Sequence, residues 1–411
     1  MKRAGHAAVA GFAVLAGLVV LVSGCGGGGD DGLDAAQQAL KGRGRSLVSQ
    51  GRHVFRYETF GDEAKWTDAL RLHEAVSAAV DPTTALSVGL KVDADALPES
   101  VKRAIVSGAI DLNSPQTTLK LLELDAVVGL KGRVDVEHGV RKLKRLGVTC
   151  ALCHSTVDDS LASGIGRRLD GWPNRDLDVG AIIALSPALN EAQKSVFRSW
   201  GSGKYDPRFN VDGLSKPAVI PPAYGLSGVH KITYTGDGDD IAYWNRYVAV
   251  TQMGGLGSFS DPRLPLSVTH GTVDRVSDKL PALQAYQLSL AAPPAPTGSF
   301  EAPAAERGKR LFEGKAQCIA CHSGPRFTDA NSTLHPPTDS MAEPESPSYA
   351  SRSATRMYRT TPLKGAWQHA PYFHDGSAAT LEDVGDAYNR RRGLGLTPQE
   401  VADLAQFLKS L

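Results

Sequence analysis

Residues 318–322 read Cys318-Ile319-Ala320-Cys321-His322, and residues 150–154 repeat the pattern as Cys150-Ala151-Leu152-Cys153-His154. Two thiols separated by two residues lie on one turn of chain and reach both vinyl groups of a porphyrin. A histidine at the next position then lies under the iron as its proximal ligand, so Cys-x-x-Cys-His is the attachment signature of a c-type haem. A structural zinc site would use two such thiol pairs, but neither needs the histidine. A thioredoxin-like pair is expected once, on a βαβ unit. A disulfide across two intervening residues is usually strained. At this chain's cysteine and histidine frequencies, a chance match is expected on the order of 0.002 times per sequence. Two matches therefore predict two covalently bound c-type haems, on Cys150 and Cys153 and on Cys318 and Cys321, with His154 and His322 as iron ligands.

The fifth cysteine belongs to the N-terminus. Met1-Lys2-Arg3 is a short basic start, Ala7 to Val22 is apolar apart from Gly11 and Gly17, and Ser23-Gly24-Cys25 follows. That order is the signature of an export signal. Val22-Ser23-Gly24-Cys25 resembles a bacterial lipobox, in which Cys25 would be lipidated and become the first residue. Lipidation also accounts for an otherwise orphaned cysteine. The rival readings are plain cleavage nearby and a short membrane anchor, for which about 20 uncharged, Gly- and Ala-rich residues are at the lower limit. Gly26 to Gly29 with Asp30 and Asp31 reads as a flexible tether. The expected location is the periplasm, with the chain held to a membrane by lipid only. Gly26 is not an acidic retention signal, so the outer membrane is slightly favoured.

The chain as a whole has ordinary globular composition. Of its 411 residues, 42% are apolar and 22% charged, with Lys+Arg 45 against Asp+Glu 44. That excludes disorder of the whole chain, and at roughly 100–200 residues per domain it predicts two or three units. A formal net charge of +1 argues against nucleic acid as a partner.

Trp66, Leu70, His73, Val76 and Val80 follow helical spacing up to Asp81-Pro82, and a second apolar helix is expected around 118–128. Residues 139–147 read as a basic amphipathic turn entering the first haem motif. The stretch 155–270 is rich in Gly and Pro, the mark of irregular packing around a cofactor, and 272–290 looks helical apart from Pro281. Ala291-Ala292-Pro293-Pro294-Ala295-Pro296-Thr297-Gly298 is the clearest linker. Beyond it, 304–312 reads as a helix. Thr397 is an N-cap, with Pro398 at the first helical position and Glu400 three residues after the cap. Val401, Leu404, Leu408 and Leu411 then make a buried stripe. The expected fold is mostly α: two cytochrome c-like haem domains in tandem, the N-terminal one enlarged and loop-rich. The boundaries are a signal at 1–24, a lipidated cysteine and tether at 25–50, an N-terminal haem domain at 51–292, a Pro-rich linker at 293–300 and a C-terminal haem domain at 301–411.

The C-terminal unit carries more than its haem motif. Thr361-Pro362-Leu363-Lys364, Ala370-Pro371-Tyr372-Phe373-His374-Asp375-Gly376 and Ala379-Thr380-Leu381-Glu382-Asp383-Val384 resemble the bacterial di-haem cytochrome c peroxidase family and its MauG-like relatives, which oxidise protein tryptophans. The match covers roughly 301–411. The resemblance implies that the haem on His322 is an electron-transfer centre, six-coordinate with a methionine, and that peroxide binds at the haem on His154. Met357, just before Tyr358-Arg359-Thr360-Thr361-Pro362, is placed like the family's ligand methionine. A thioether ligand raises the potential, as an electron-entry haem needs. Core packing is the plainer use of Met357, and Met341 lies in a Pro/Ser/Glu-rich loop.

On the first haem the sequence leaves the sixth position open among His73, Met253, His230, His270 and no protein ligand. His374 reads as a local hydrogen-bonding or propionate-contacting residue. Trp200 and Trp244 could relay electrons or simply pack. Gly236-Asp237-Gly238-Asp239-Asp240 offers carboxylates for calcium, which the resembled family often carries. It lacks the full EF-hand pattern and reads first as an acidic turn. The functional expectation is reduction of hydrogen peroxide, with electrons from a small periplasmic donor, a cytochrome c or copper protein. The alternatives are a non-enzymatic di-haem carrier, a MauG-like oxidase and a haem redox sensor.

Overall fold

Alternating apolar and charged residues make Leu130–Glu137 and Val140–Val148 two strands of one antiparallel hairpin, with Glu137 opposite Val140. His138 and Gly139 both have positive φ (51° and 80°), the backbone that a two-residue turn between twisted strands requires. The basic amphipathic turn expected at 139–147 is therefore a strand. Leu143 and Leu146 are both buried with the charges of Lys144 and Arg145 between them, because a bulge at Lys144, opposite the step from Arg133 to Val134, adds one residue to the strand. The strand delivers its last residues into the first haem motif.

The computed structural model describes residues 31–208, 212–342 and 347–411. The export signal, Cys25 and the glycines after it lie outside the described residues. From Asp31 onward the segment expected as tether is a helix, Asp31–Tyr57. Among the described residues, no helix is long and apolar enough to cross a membrane. Gly44–Leu411 forms one compact unit.

The helix expected from Trp66 to Val80 is two pieces. A π-helical turn, Ala64–Ala69, is followed by the α-helix Leu72–Ala79, and Arg71 between them is left-handed at φ 54°. The first piece is pinned from its side: Trp66 Nε1 donates to Asp62 at 3.0 Å, and Thr67 Oγ1 donates to the Leu146 carbonyl at 2.9 Å. These ties to the hairpin override the simple helical period. Asp81 ends this stretch and caps the next helix, Pro82–Ser87, by accepting the Thr84 N–H. The second apolar helix is Pro115–Glu123, packed on the hairpin. Residues 155–270 hold short two-stranded pairings and short helices, as the Gly and Pro content suggested. The helix expected from 272 begins only at Leu280, because Asp274 closes a turn on the N–H groups of Val276 and Ser277. Pro281 sits in its first turn.

Two apolar cores and a third, small cluster of Leu226, Val229, Ile232 and Ile241 divide the unit. The larger runs from Val54 to Tyr286; the smaller gathers Phe312, Ala316, Leu396, Val401, Leu404 and Phe407. The stretch between them is held to the body, since Trp367 Nε1 donates to the Pro293 carbonyl at 3.2 Å. In the smaller core the helix Ala302–Glu313 crosses Pro398–Lys409. Gly308 makes the crossing possible, because a Cβ there would lie 2.0 Å from the Asp403 carbonyl oxygen. Arg307 clamps the same place with two 2.7 Å bonds to Asp403. The capping box at Thr397 forms as the residues dictate, Thr397 and Glu400 exchanging side-chain and backbone bonds.

Thr397→Ala is expected to cost about 1 kcal/mol of stability through the lost cap. Gly308→Ala should cost more, by forcing the two helices apart. Chemical denaturation of the full chain compares them, and a Gly308→Ala midpoint at or above that of Thr397→Ala would contradict the packing.

Candidate functional site

Each Cys-x-x-Cys-His segment is a single tight turn. In the first, Ala151–His154 is helical and the His154 N–H bonds the Cys150 carbonyl at 3.2 Å; in the second, the His322 N–H bonds Cys318 at 2.9 Å. The two histidines are oriented in the same way. His154 Nδ1 donates to the Pro221 carbonyl at 3.1 Å, and His322 Nδ1 donates to Phe327 at 3.0 Å. A ring held through Nδ1 is fixed in one tautomer and leaves Nε2 for a metal, which is how proteins aim a ligating histidine. Burial keeps both rings neutral, lowering His154 to about 4 and moving His322 in the same direction. All four cysteines of the motifs are free thiols. Donor set and ring orientation fit a haem at both places.

The second motif opens onto a cavity of about 620 Å³, lined by Cys318, Cys321 and His322, a volume suited to a cofactor-sized ligand. One face of the helix Leu381–Arg392 forms part of its wall: Leu381, Val384, Gly385, Tyr388 and Arg392. Tyr358, Arg359, His369 and His374 also line it. Met357 does not. The turn at 355–357, with Arg356 at φ 56° and Thr355 Oγ1 taking the Met357 N–H, leaves Tyr358 and Arg359 to face the cavity. Met341, expected in an outlying loop, does line it.

Tyr388 is a side chain of this wall that sequence reasoning missed. Burial, with Cys318 and Cys321 close by, pushes its phenol up to about 12. The signal was present in the spacing, since 381, 384, 385, 388 and 392 make one helical stripe. Cys321 Sγ, Asp329 and His335 lie within 4.8 Å of one another. That cluster is not a separate metal centre: the thiol belongs to the attachment pair, and His335 Nε2 already bonds Asp329 at 3.0 Å.

The candidates for the first motif are scattered. His73 lies half-buried on its helix, with Nδ1 buried and unpartnered. Met253 is buried in the larger core, against which Cys150 and Cys153 also pack. His230 is exposed, and His270 ends the strand Leu266–His270. Asp62 is fully buried beside this motif and accepts bonds from Trp66 Nε1 and the Val148 N–H; burial raises its carboxyl well above the usual range. Lys65 donates to the Gln252 carbonyl, and burial lowers it to about 7. This acid and base were not singled out by any motif.

Trp200 and Trp244 pack against neighbouring rings, the plainer of the two readings their sequence allowed. Trp200 packs with Phe197 and Tyr205, and Trp244 stacks on Tyr247. Trp172 instead sits in the strap over the first motif, where Gly171 N–H bonds His154 and Asn174 N–H bonds Cys153. Its ring meets Trp367 edge-on at 5.7 Å and Tyr224 at 6.5 Å, and Tyr224 lines the cavity. His374 bonds the Tyr358 hydroxyl at 3.4 Å, a local role. The acidic turn uses each carboxylate elsewhere: Asp237 takes Thr235 Oγ1 and the N–H groups of Ala354 and Thr355, Asp239 pairs with Lys231, and Asp240 caps a helix.

A family model described as RoxA-like, cytochrome c-like matches residues 357–393, the segment holding Arg359, His374 and Tyr388. A protein named cytochrome-c peroxidase IdrP1 from Denitromonas iodatirespirans is 32% identical, over 26% of this chain and 40% of that one. The chain thus spans less than half the length of that relative. Methylamine utilization protein MauG of Methylorubrum extorquens is 33% identical, over 66% of this chain and 74% of that one. Among solved structures, a MauG-like protein associated with microbial copper homeostasis is 23% identical with a TM-score of 0.33, covering 49% of this chain and 75% of that one.

The intact mass of the chain matured with a haem-attachment system should exceed that of the bare polypeptide by two haems. Replacing Cys318 and Cys321 with alanine should remove one haem, and replacing Cys150 and Cys153 the other. A double variant that still carries both would contradict the assignment.

Proposed function

Because this chain belongs to the di-haem cytochrome c peroxidase and MauG family, we propose that it is an exported c-type cytochrome, anchored by lipid at Cys25, that reduces hydrogen peroxide. The observation that carries the reading is the pair of equivalent Cys-x-x-Cys-His turns, each histidine held through Nδ1, with Trp172, Trp367 and Tyr224 spanning from one to the other. Haem bound at the two motifs supplies one-electron storage and, where an iron keeps an open position, reductive cleavage of the peroxide O–O bond. The protein's part is to fix ligation, spacing and access. Cys150, Cys153, Cys318 and Cys321 take the thioether links, and His154 and His322 give the proximal nitrogens. Electrons from a small donor, a cytochrome c or copper protein of the periplasm, would enter at the C-terminal motif and pass along the aromatic series to the N-terminal one. Asp62, buried, and Lys65, half-buried, are placed to hold and pass protons near the first motif.

At the second motif Tyr388 is the side chain proposed to face the iron opposite His322, in place of Met357. A tyrosine oxygen is an established haem ligand, and it lacks the potential-raising effect of a thioether. A low-potential second centre accepts electrons from a donor less readily. This observation favours a second reading, in which the chain is a MauG-like oxidase that withdraws electrons from a partner protein.

Low-temperature EPR of the half-reduced, haem-loaded chain tests the proposal. One high-spin ferric signal that disappears on adding peroxide is expected. Two low-spin signals indifferent to peroxide would make it an electron carrier. Tyr388→Phe should convert the low-spin signal of the C-terminal haem to high-spin and Met357→Ala should leave it alone; the reverse pattern returns the ligand to methionine. Peroxide-dependent oxidation of reduced cytochrome c separates the peroxidase from the oxidase reading.

A further inference from the structure

Arg359 brings a positive charge into the cavity wall without an anion to meet it. Its Nη1 donates to the Lys231 carbonyl at 2.7 Å, and its backbone N–H donates to Tyr234 at 2.9 Å. Its Nε is buried with no hydrogen-bond partner. Among the described residues no carboxylate pairs with it; the charged-group neighbour that favours its cation is the Tyr234 phenol. A half-buried guanidinium whose Nε is shut from water without a partner, and which bonds only a neutral carbonyl, is costly to keep, and an anion in the cavity would complete it. The surroundings have the same sign. Lys315, Arg326, Lys364 and Arg392 line the cavity with Arg359, against Asp339 as the acidic residue.

The planar donors of arginine match a carboxylate. A c-type haem attached at Cys318 and Cys321 brings two carboxylates, its propionates, into this cavity. We propose that Arg359 is the carboxylate anchor of the cavity, its Nε side taking a propionate of the haem held by His322. Arg359 is then a positioning residue: it fixes the rotation of the porphyrin about the His322 axis and sets the charge beside the iron. The inference rests on the reading of a haem at the second motif but not on peroxide chemistry, so the two fail separately.

The test is redox potentiometry of the full-length, haem-loaded chain with its haem count checked by mass. Removing the cation leaves the propionate charge uncompensated, which favours ferric over ferrous iron. Arg359→Gln should therefore shift the C-terminal haem to lower potential, with a smaller shift at the N-terminal haem, and Arg359→Lys should recover most of the difference. Unchanged potentials in Arg359→Gln with both haems present would overturn the assignment. So would a wild-type potential that moves with added acetate, since the carboxylate would then come from solution. Should Arg359→Gln fail to retain its haem, a crystal structure of the unaltered haem-loaded chain decides: a propionate oxygen within hydrogen-bond distance of Arg359 supports the proposal, and none there overturns it. A chain whose mass shows no haem at Cys318 and Cys321 would overturn the reading on which the proposal rests.

Discussion

The hydrogen bond from His154 Nδ1 to the Pro221 carbonyl joins residues 67 apart in sequence, and the first site depends on it. A motif of five residues places two thiols and an imidazole, but it does not aim the ring. The carbonyl that aims it arrives only when the segment around Pro221 is in place. That segment is held by the short pairing of Lys204–Tyr205 with Ala218–Val219, by the Ile220 N–H on the Gly203 carbonyl, and by the Ala223 N–H on Gly171. The second site has no such dependence. His322 finds its acceptor at Phe327, five residues on, within the same turn of loop. One haem site is thus local and the other tertiary, although their sequence signatures are identical.

That difference explains what the sequence disclosed. The C-terminal helices follow from local chemistry: a cap at Thr397, proline after it, Glu400 closing the box, and apolar residues at helical spacing. Nothing distant competes with those preferences. In the N-terminal part distant groups do compete. Thr67 and Trp66 are tied to the hairpin and to Asp62, so the stripe from Trp66 to Val80 breaks at Arg71. The strand at 140–148 has a partner only because His138 and Gly139 reverse the chain. Its basic residues gave a stronger first impression than its alternation, which a bulge interrupts.

The cavity shows the same limit at the level of single side chains. Cys318, Cys321 and His322 were legible because their spacing has one chemical use. Which side chains between Thr355 and Arg359 face the cavity was not, because it turns on which way a short irregular segment faces. The positive φ at Arg356 and the Thr355 hydroxyl set that direction, and neither leaves a periodic mark. Tyr388 did leave one, on a helix whose inward face is regular, but a tyrosine on an inward face is ordinarily read as packing. Trp172 and Trp367 are a further case. They lie far apart in sequence, and only the fold brings their rings to 5.7 Å.

Residues 358–372 join these local and tertiary features. Tyr358 pairs its backbone with His335, and Arg359 donates its backbone N–H to the Tyr234 carbonyl and its side-chain Nη1 to the Lys231 carbonyl. Gly365 accepts the Tyr224 hydroxyl and has no room for a Cβ, which would lie 2.6 Å from that oxygen. Trp367 reaches both Trp172 and the Pro293 carbonyl. One stretch of about fifteen residues therefore walls the cavity of the second motif and touches the strap over the first. The second motif is thus joined by contacts to the first, through Trp367 and Trp172 to the residues bonded to Cys153 and His154. Packing alone therefore ties the two motifs together, whatever each one binds.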